Sequence, residues 1–196
     1  MWLDRVKRVY RQELDITWRN FSLEQNAFDL KQQSEGSDND WKVWNEPDVT
    51  KGRSLLSQVA AEAARRQDPE LYEKFHLALL KARHGDDSRI PLNDEEVIVG
   101  LAAKIGLDTA KLHEDMKDPN ILTIIGSDHE GARSQGIFGT PTFVFDNGNT
   151  MYLKAFIPPE EDAIAEFEHF VAISCDRSYI GEMKRPQPPW PKGVLD

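Results

Sequence analysis

Apolar residues recur at helical spacing over residues 1–14, with Leu3, Val6, Val9, Tyr10 and Leu14 on one face. That spacing predicts an amphipathic helix. Residues 15–23 change character: Ile16-Thr17-Trp18 and Phe21 are β-branched or aromatic, and they predict a strand. From Asn26 to Lys51 the pattern is polar, centred on Gln32-Gln33-Ser34-Glu35-Gly36-Ser37-Asp38-Asn39-Asp40, and predicts a mobile surface loop. Trp41 and Trp44 follow it and either pin this loop to the body or line a ligand groove.

The next 80 or so residues carry repeated helix punctuation. Ser54 is placed to cap a helix with Leu55, Val59, Ala60 and Ala63 on its apolar face. Asp68-Pro69 supplies a cap and a first-turn proline for a helix burying Leu71, Phe75, Leu79 and Ala82, with Gly85 just past its end. Asn93 with Glu96 has the form of a capping box for a helix through Val97, Leu101 and Ile105, stopped by Gly106. Asp108 and Asp118-Pro119 begin two more, the second running through Ile121, Ile125 and Ala132 towards Gly136. Residues 54–134 therefore read as an all-helical insertion.

Beyond Pro141 the pattern becomes β. Phe143-Val144-Phe145 and Met151-Tyr152-Leu153 flank Asp146-Asn147-Gly148-Asn149, and Asn-Gly is a strong hairpin signal. Glu160, Glu161 and Asp162 put negative charge at the start of a last helix carrying Ile164, Phe167 and Val171. Residues 179–196 read as a proline-rich tail, semi-rigid in polyproline geometry, either loose, packed on the body or recognised by a partner.

Composition narrows the class. The chain has 196 residues, 39% hydrophobic and 30% charged, enough for one well-buried domain or a small core domain carrying an insertion. A net charge of −10 opposes nucleic acid and anionic membranes, because the phosphate term is repulsive. No apolar run reaches transmembrane length and Met1-Trp2-Leu3-Asp4-Arg5 does not have the form of a signal peptide, so a cytoplasmic location is expected. The single cysteine, Cys175, excludes an intramolecular disulfide.

The stretch Gly136-Ile137-Phe138-Gly139-Thr140-Pro141-Thr142-Phe143-Val144-Phe145 carries the most specific signal. Its proline stands at the first residue of a strand, where it removes no ladder hydrogen bond. Local features allow a trans or a cis Thr140-Pro141 bond. The whole stretch resembles the cis-proline loop of the DsbA-like branch of the thioredoxin superfamily. That branch includes FrnE-type dithiol-disulfide isomerases, kappa-class glutathione transferases and 2-hydroxychromene-2-carboxylate isomerases. The order of elements agrees: helix, a strand with Trp18-Arg19-Asn20-Phe21-Ser22-Leu23, helical insertion, loop, hairpin, helix.

The resemblance implies an α/β, thioredoxin-like fold with an inserted helical domain. Residues 1–53 and 135–178 would form the thioredoxin-like part, and 54–134 the insertion. It implies a substrate-binding site at Phe138, Gly139, Thr140 and Pro141, with Thr140 pairing to an extended substrate. The partner would be a thiol- or disulfide-bearing protein, or a low-molecular-weight thiol, with no cofactor and no metal. In the family a central strand and a Cys-x-x-Cys, or Ser- or Cys-led, motif precede the first helix, whose positive end stabilises the thiolate. Here Met1-Trp2 falls at or beyond that helix start, so a piece on the order of 15–20 residues is expected to be missing.

Without its first central strand the sheet would leave backbone groups unpaired at about 1–3 kcal/mol for each buried one. Against a total stability of about 5–15 kcal/mol that demands repair. A longer natural chain, a strand donated by a partner as in a homodimer, or closure of the flanking strands would each supply it. For the chain as given, a rearranged or dimerised sheet is expected. No residue of this chain is assigned as catalytic. Cys175, near the end of the last helix, is expected as a buried inert thiol. The five histidines show no metal-ligand spacing, and His129-Glu130 is expected on a solvated helix face, though near enough in sequence to approach the loop. Thiol-disulfide chemistry of the FrnE type is the leading expectation. A glutathione transferase or chromene isomerase activity, and a non-catalytic binding module using the loop with Trp41 and Trp44, are the alternatives.

Overall fold

The structure is a computed structural model and describes residues 1–10, 14–85 and 89–184. It divides into two compact units: Trp18–Gly139, and a second formed by Met1–Thr17 together with the chain from Thr140 onward. The helices expected within 54–134 are present, and the unit holding them extends on both sides to take in Trp18–Arg53 and the residues up to Gly139.

In the unit Trp18–Gly139 the apolar spacing and the caps act together. Helix α1 (Trp2–Val9) belongs to the other unit. Helix α2 (Leu23–Glu35) occupies the stretch expected to be a mobile loop. Ser22 caps it, its hydroxyl accepting from the N–H of Gln25, and Gly36 closes it in the left-handed region at φ 64°. The cap and the glycine bracket a run whose buried residues, Gln25 and Asn26, are polar.

Helices α3 (Leu55–Arg65), α4 (Pro69–His84), α5 (Glu95–Ile105), α6 (Thr109–Asp115) and α7 (Pro119–Ser134) follow. Asp68, Asp108 and Asp118 each accept a first-turn N–H, and prolines at 69 and 119 open α4 and α7. Two expected caps differ. Ser54 stands at the N-cap of α3 but its hydroxyl makes no capping bond. The cap of α5 is Asp94 rather than Asn93, its carboxylate accepting from the N–H of Glu96 at 2.9 Å. Leu55, Leu56, Val59, Phe75, Ile98, Leu112, Ile121 and Ile125 form the buried centre of this unit.

Residues 14–22 form no strand, contrary to the expectation for 15–23. A strand requires a ladder partner, and the only sheet among the described residues is a two-stranded hairpin elsewhere. Side chains serve the backbone of this segment instead. Arg65 donates to the Trp18 carbonyl at 3.1 Å, Gln58 to the Phe21 carbonyl at 3.2 Å, and the Asn20 N–H donates to Asp128 at 2.9 Å. These bonds satisfy groups that would otherwise be costly to bury. Trp41 and Trp44 pin the polar segment. Trp41 packs edge-on against Phe28 and its indole N–H bonds to Glu46, while Trp44 lies against α7 at Gly126.

In the other unit, α1 is shorter than the expected 1–14. Tyr10 is already extended at φ −71° and ψ 133°, and residues 11–13 lie outside the described residues. The Trp2 indole donates to the Ala163 carbonyl at 3.0 Å and meets Phe167 and Phe170 edge-on. Strands β1 (Thr142–Val144) and β2 (Thr150–Tyr152) pair antiparallel, with Phe143 opposite Met151. Gly148 at φ 83°, with its N–H bonded to the Phe145 carbonyl, makes a three-residue loop that only a glycine enters easily. A 3-10 turn over Glu160–Asp162 leads into α8 (Ala163–Ser174). Its buried face is Ala163, Phe167, Phe170 and Ser174, rotated from the expected Ile164, Phe167 and Val171. Most of the proline-rich tail, from 185 on, lies outside the described residues. Among the described residues no helix is long and apolar enough to cross a membrane.

Candidate functional site

The loop that the sequence singles out starts where α7 stops. Gly136 takes φ 78°, and the N–H groups of Gly136 and Ile137 bond back to the carbonyls of Arg133 and Ala132 at 2.9 and 3.1 Å. This closure uses two of the carbonyls a helix end leaves open. Phe138 then presents its ring to solvent, 59% exposed, and Gly139 is buried. Thr140 and Pro141, which open the second unit, are both exposed, and the bond between them is cis. The Pro141 carbonyl already accepts from the Leu153 N–H at 3.1 Å.

Behind Phe138 lies a polar network that sequence reading missed. Asn26 of α2 donates from Nδ2 to the Phe138 carbonyl at 2.9 Å, and its Oδ1 accepts from Arg133 at 2.9 Å. Asp29, one turn further along α2, accepts from Gln25 at 2.8 Å and lies 3.9 Å from Arg133 Nε and 3.8 Å from His129 Nε2. Gln25 is itself buried and accepts the Val43 N–H at 2.7 Å.

His129 is buried at 1% exposure, not on a solvated helix face. It sits between Phe21 and Trp44, ring centroids at 4.6 and 5.4 Å. Its spacing gave a signal: Ile121, Ile125 and His129 recur every fourth residue, so the histidine continues the apolar stripe of α7. Burial lowers its pKa, opposed by the Asp29 carboxylate.

Cys175 is half-buried rather than buried, and caps the end of α8. Asn147 of the hairpin loop donates to its carbonyl at 2.9 Å and reaches its sulfur at 3.4 Å. Desolvation and the neighbouring Asp176 carboxylate raise the thiol's pKa, the opposite of what a nucleophilic cysteine needs. Among the described residues no group of three or more His, Cys, Asp or Glu side chains could hold a metal ion.

No curated protein matches this chain. A family model, described as DSBA-like thioredoxin domain, matches residues 2–163 and so covers the loop at Phe138–Pro141. With most of its length inside that match, the chain belongs to the DSBA-like thioredoxin domain family.

Proposed function

We propose that this chain supplies the substrate-binding part of a FrnE-type thiol-disulfide oxidoreductase, along Phe138, Gly139, Thr140 and Pro141, and carries out no redox chemistry with its own residues. Proteins of this family act on thiol and disulfide substrates. In this reading residues 1–53 and 135–178 make up the thioredoxin-like domain, and 54–134 the insertion. The observation that carries it is the exposed Thr140-Pro141 segment inside the family match.

The residues divide the work by what each has available. The family resemblance assigns pairing with an extended substrate to the Thr140 backbone, next to a Pro141 carbonyl that already accepts from Leu153. The exposed Phe138 ring offers an apolar contact. Thiolate attack requires a cysteine whose charged form is favoured, and Cys175, the one cysteine of the chain, is held in the thiol form. The partner is a thiol- or disulfide-bearing segment or a small thiol, bound without a resident cofactor.

The test pairs turnover with binding. The purified chain should reduce neither insulin nor a small aromatic disulfide above background. It should bind an extended disulfide-containing peptide at micromolar concentration, and Phe138→Ala should weaken that binding about fivefold to tenfold, or ~1 kcal/mol. Insulin reduction above background would overturn the redox-silent part of the reading. A Phe138→Ala affinity equal to the unsubstituted chain would overturn the loop as the binding surface.

A further inference from the structure

The amide of Asn26 is 6% exposed and both of its ends are engaged. A guanidinium can only donate hydrogen bonds, so Arg133 Nη1 at 2.9 Å requires the oxygen of the Asn26 amide to face it. The nitrogen is then obliged to face the other way, where the Phe138 carbonyl lies at 2.9 Å. Arg133 therefore decides which end of a nearly symmetric side chain meets the loop. The set is braced from behind, because Asp29 lies 3.9 Å from Arg133 Nε and is held by Gln25 at 2.8 Å.

The carbonyl that Asn26 holds belongs to the residue two before Thr140. A peptide group is planar, so the bond to this carbonyl also fixes the direction of the Gly139 N–H. We propose that Asn26 is a positioning residue for the start of the loop, at Phe138 and Gly139, acting through the Phe138 carbonyl, with Arg133 setting the polarity of its amide. This rests on the reading of that loop as the substrate-binding surface, and it assigns to two side chains of α2 and α7 the task of presenting it.

Asn26→Asp separates positioning from support. The carboxylate keeps the shape of the amide and gains an ion pair with Arg133, yet it sets an acceptor against the Phe138 carbonyl, where no hydrogen bond can form. The expected result is a protein that melts within a few degrees of the unsubstituted chain, with the Phe138 carbonyl carbon resonance moved upfield. Hydrogen exchange at the Gly139 amide should rise about tenfold or more, while protection at Ile125 in α7 stays the same. Asn26→Asp that folds with the Phe138 resonance and the Gly139 amide unchanged would overturn the proposal.

If that variant fails to fold, Arg133→Met serves in its place. It leaves Asn26 intact but free to flip, and should give the same loop signature at smaller amplitude, with no change there again overturning the proposal. Affinity for the disulfide peptide, measured on the same samples, keeps the two readings apart. A loosened loop with reduced affinity supports both. A loosened loop with unchanged affinity supports positioning by Asn26 and overturns the loop as the binding surface.

Discussion

The backbone N–H of Ser22 donates to Nδ1 of His129 at 3.1 Å, joining the start of α2 to the buried stripe of α7. Because a backbone N–H only donates, Nδ1 must be the bare nitrogen and the ring proton sits on Nε2. That Nε2 has no hydrogen-bond partner among the described residues, Asp29 Oδ2 being 3.8 Å away. A second proton would go to Nδ1 and set one donor against another. His129 is therefore held neutral both by burial and by the group it accepts from.

Acid should destabilise this protein before its carboxylates titrate. His76, wedged edge-on against Trp18 and stacked with Tyr72, has its pKa pushed from 6.5 down to about 4, by burial first and by the Arg65 guanidinium second. The unfolded chain takes up this proton below 6.5 and the folded chain only near 4. Stability is thus full above 6.5 and drains away between 6.5 and about 4. The loss from this group is at most about 3 kcal/mol. His129, also lowered, adds to it in the same direction. Urea unfolding at neutral pH and near the lower end of that window measures the loss. His76→Gln should shrink the difference between the two pH values, and an identical difference in both proteins would refute the assignment.

Two glycines on α7 should respond to the same substitution with opposite signs. A Cβ at Gly126 would come within 2.8 Å of the Trp44 indole nitrogen, whereas one at Gly131 meets nothing within 4 Å. Gly131→Ala should stabilise by about 0.5–1 kcal/mol through helix propensity alone. Gly126→Ala should destabilise by about 1–3 kcal/mol, since moving Trp44 disturbs its contact with His129. Thermal melts of the pair decide it, and a stabilised Gly126→Ala would show that the indole moves aside freely.

Two serines at helix starts make a similar contrast. Ser22 caps α2 through its hydroxyl, at 3.1 Å from the Gln25 nitrogen, while the Ser54 hydroxyl makes no cap. Ser22→Ala should cost about 1 kcal/mol, and Ser54→Ala should stay within about 0.5 kcal/mol of zero. Equal effects in denaturant titrations would mean that the observed cap contributes nothing.

The helices of the insertion were legible because their signals are local. Asp68-Pro69 and Asp118-Pro119 carry cap and first turn within a few residues, and the apolar stripes of α3 and α4 repeat at the period of a helix. The hairpin was legible for the same reason, from Asn147-Gly148 between two apolar runs. Helix α2 was hidden because its buried residues are Gln25 and Asn26, which no hydrophobic pattern marks as interior. Their burial is stabilised by partners remote in sequence, Asn26 reaching Phe138 across 112 positions. The Ser22-x-x-Gln25 capping signature was the local clue. The expected strand at 15–23 failed in the opposite way. Its β-favouring residues were real, but β-propensity describes a surface ready for a neighbour, and in this chain Arg65, Gln58 and Asp128 take the neighbour's place.

The division of the chain also sets an order of events during synthesis. Trp18–Gly139 is one unbroken stretch, and its core needs nothing from outside it to close. It can fold as soon as it clears the ribosome. Helix α1 emerges earlier but cannot finish, because the Trp2 indole waits for an Ala163 carbonyl 161 residues later. During that interval Trp2 lacks the partner it has in the finished fold, although the segment that carries it was made before the folded stretch, which makes this segment a natural target of a chaperone.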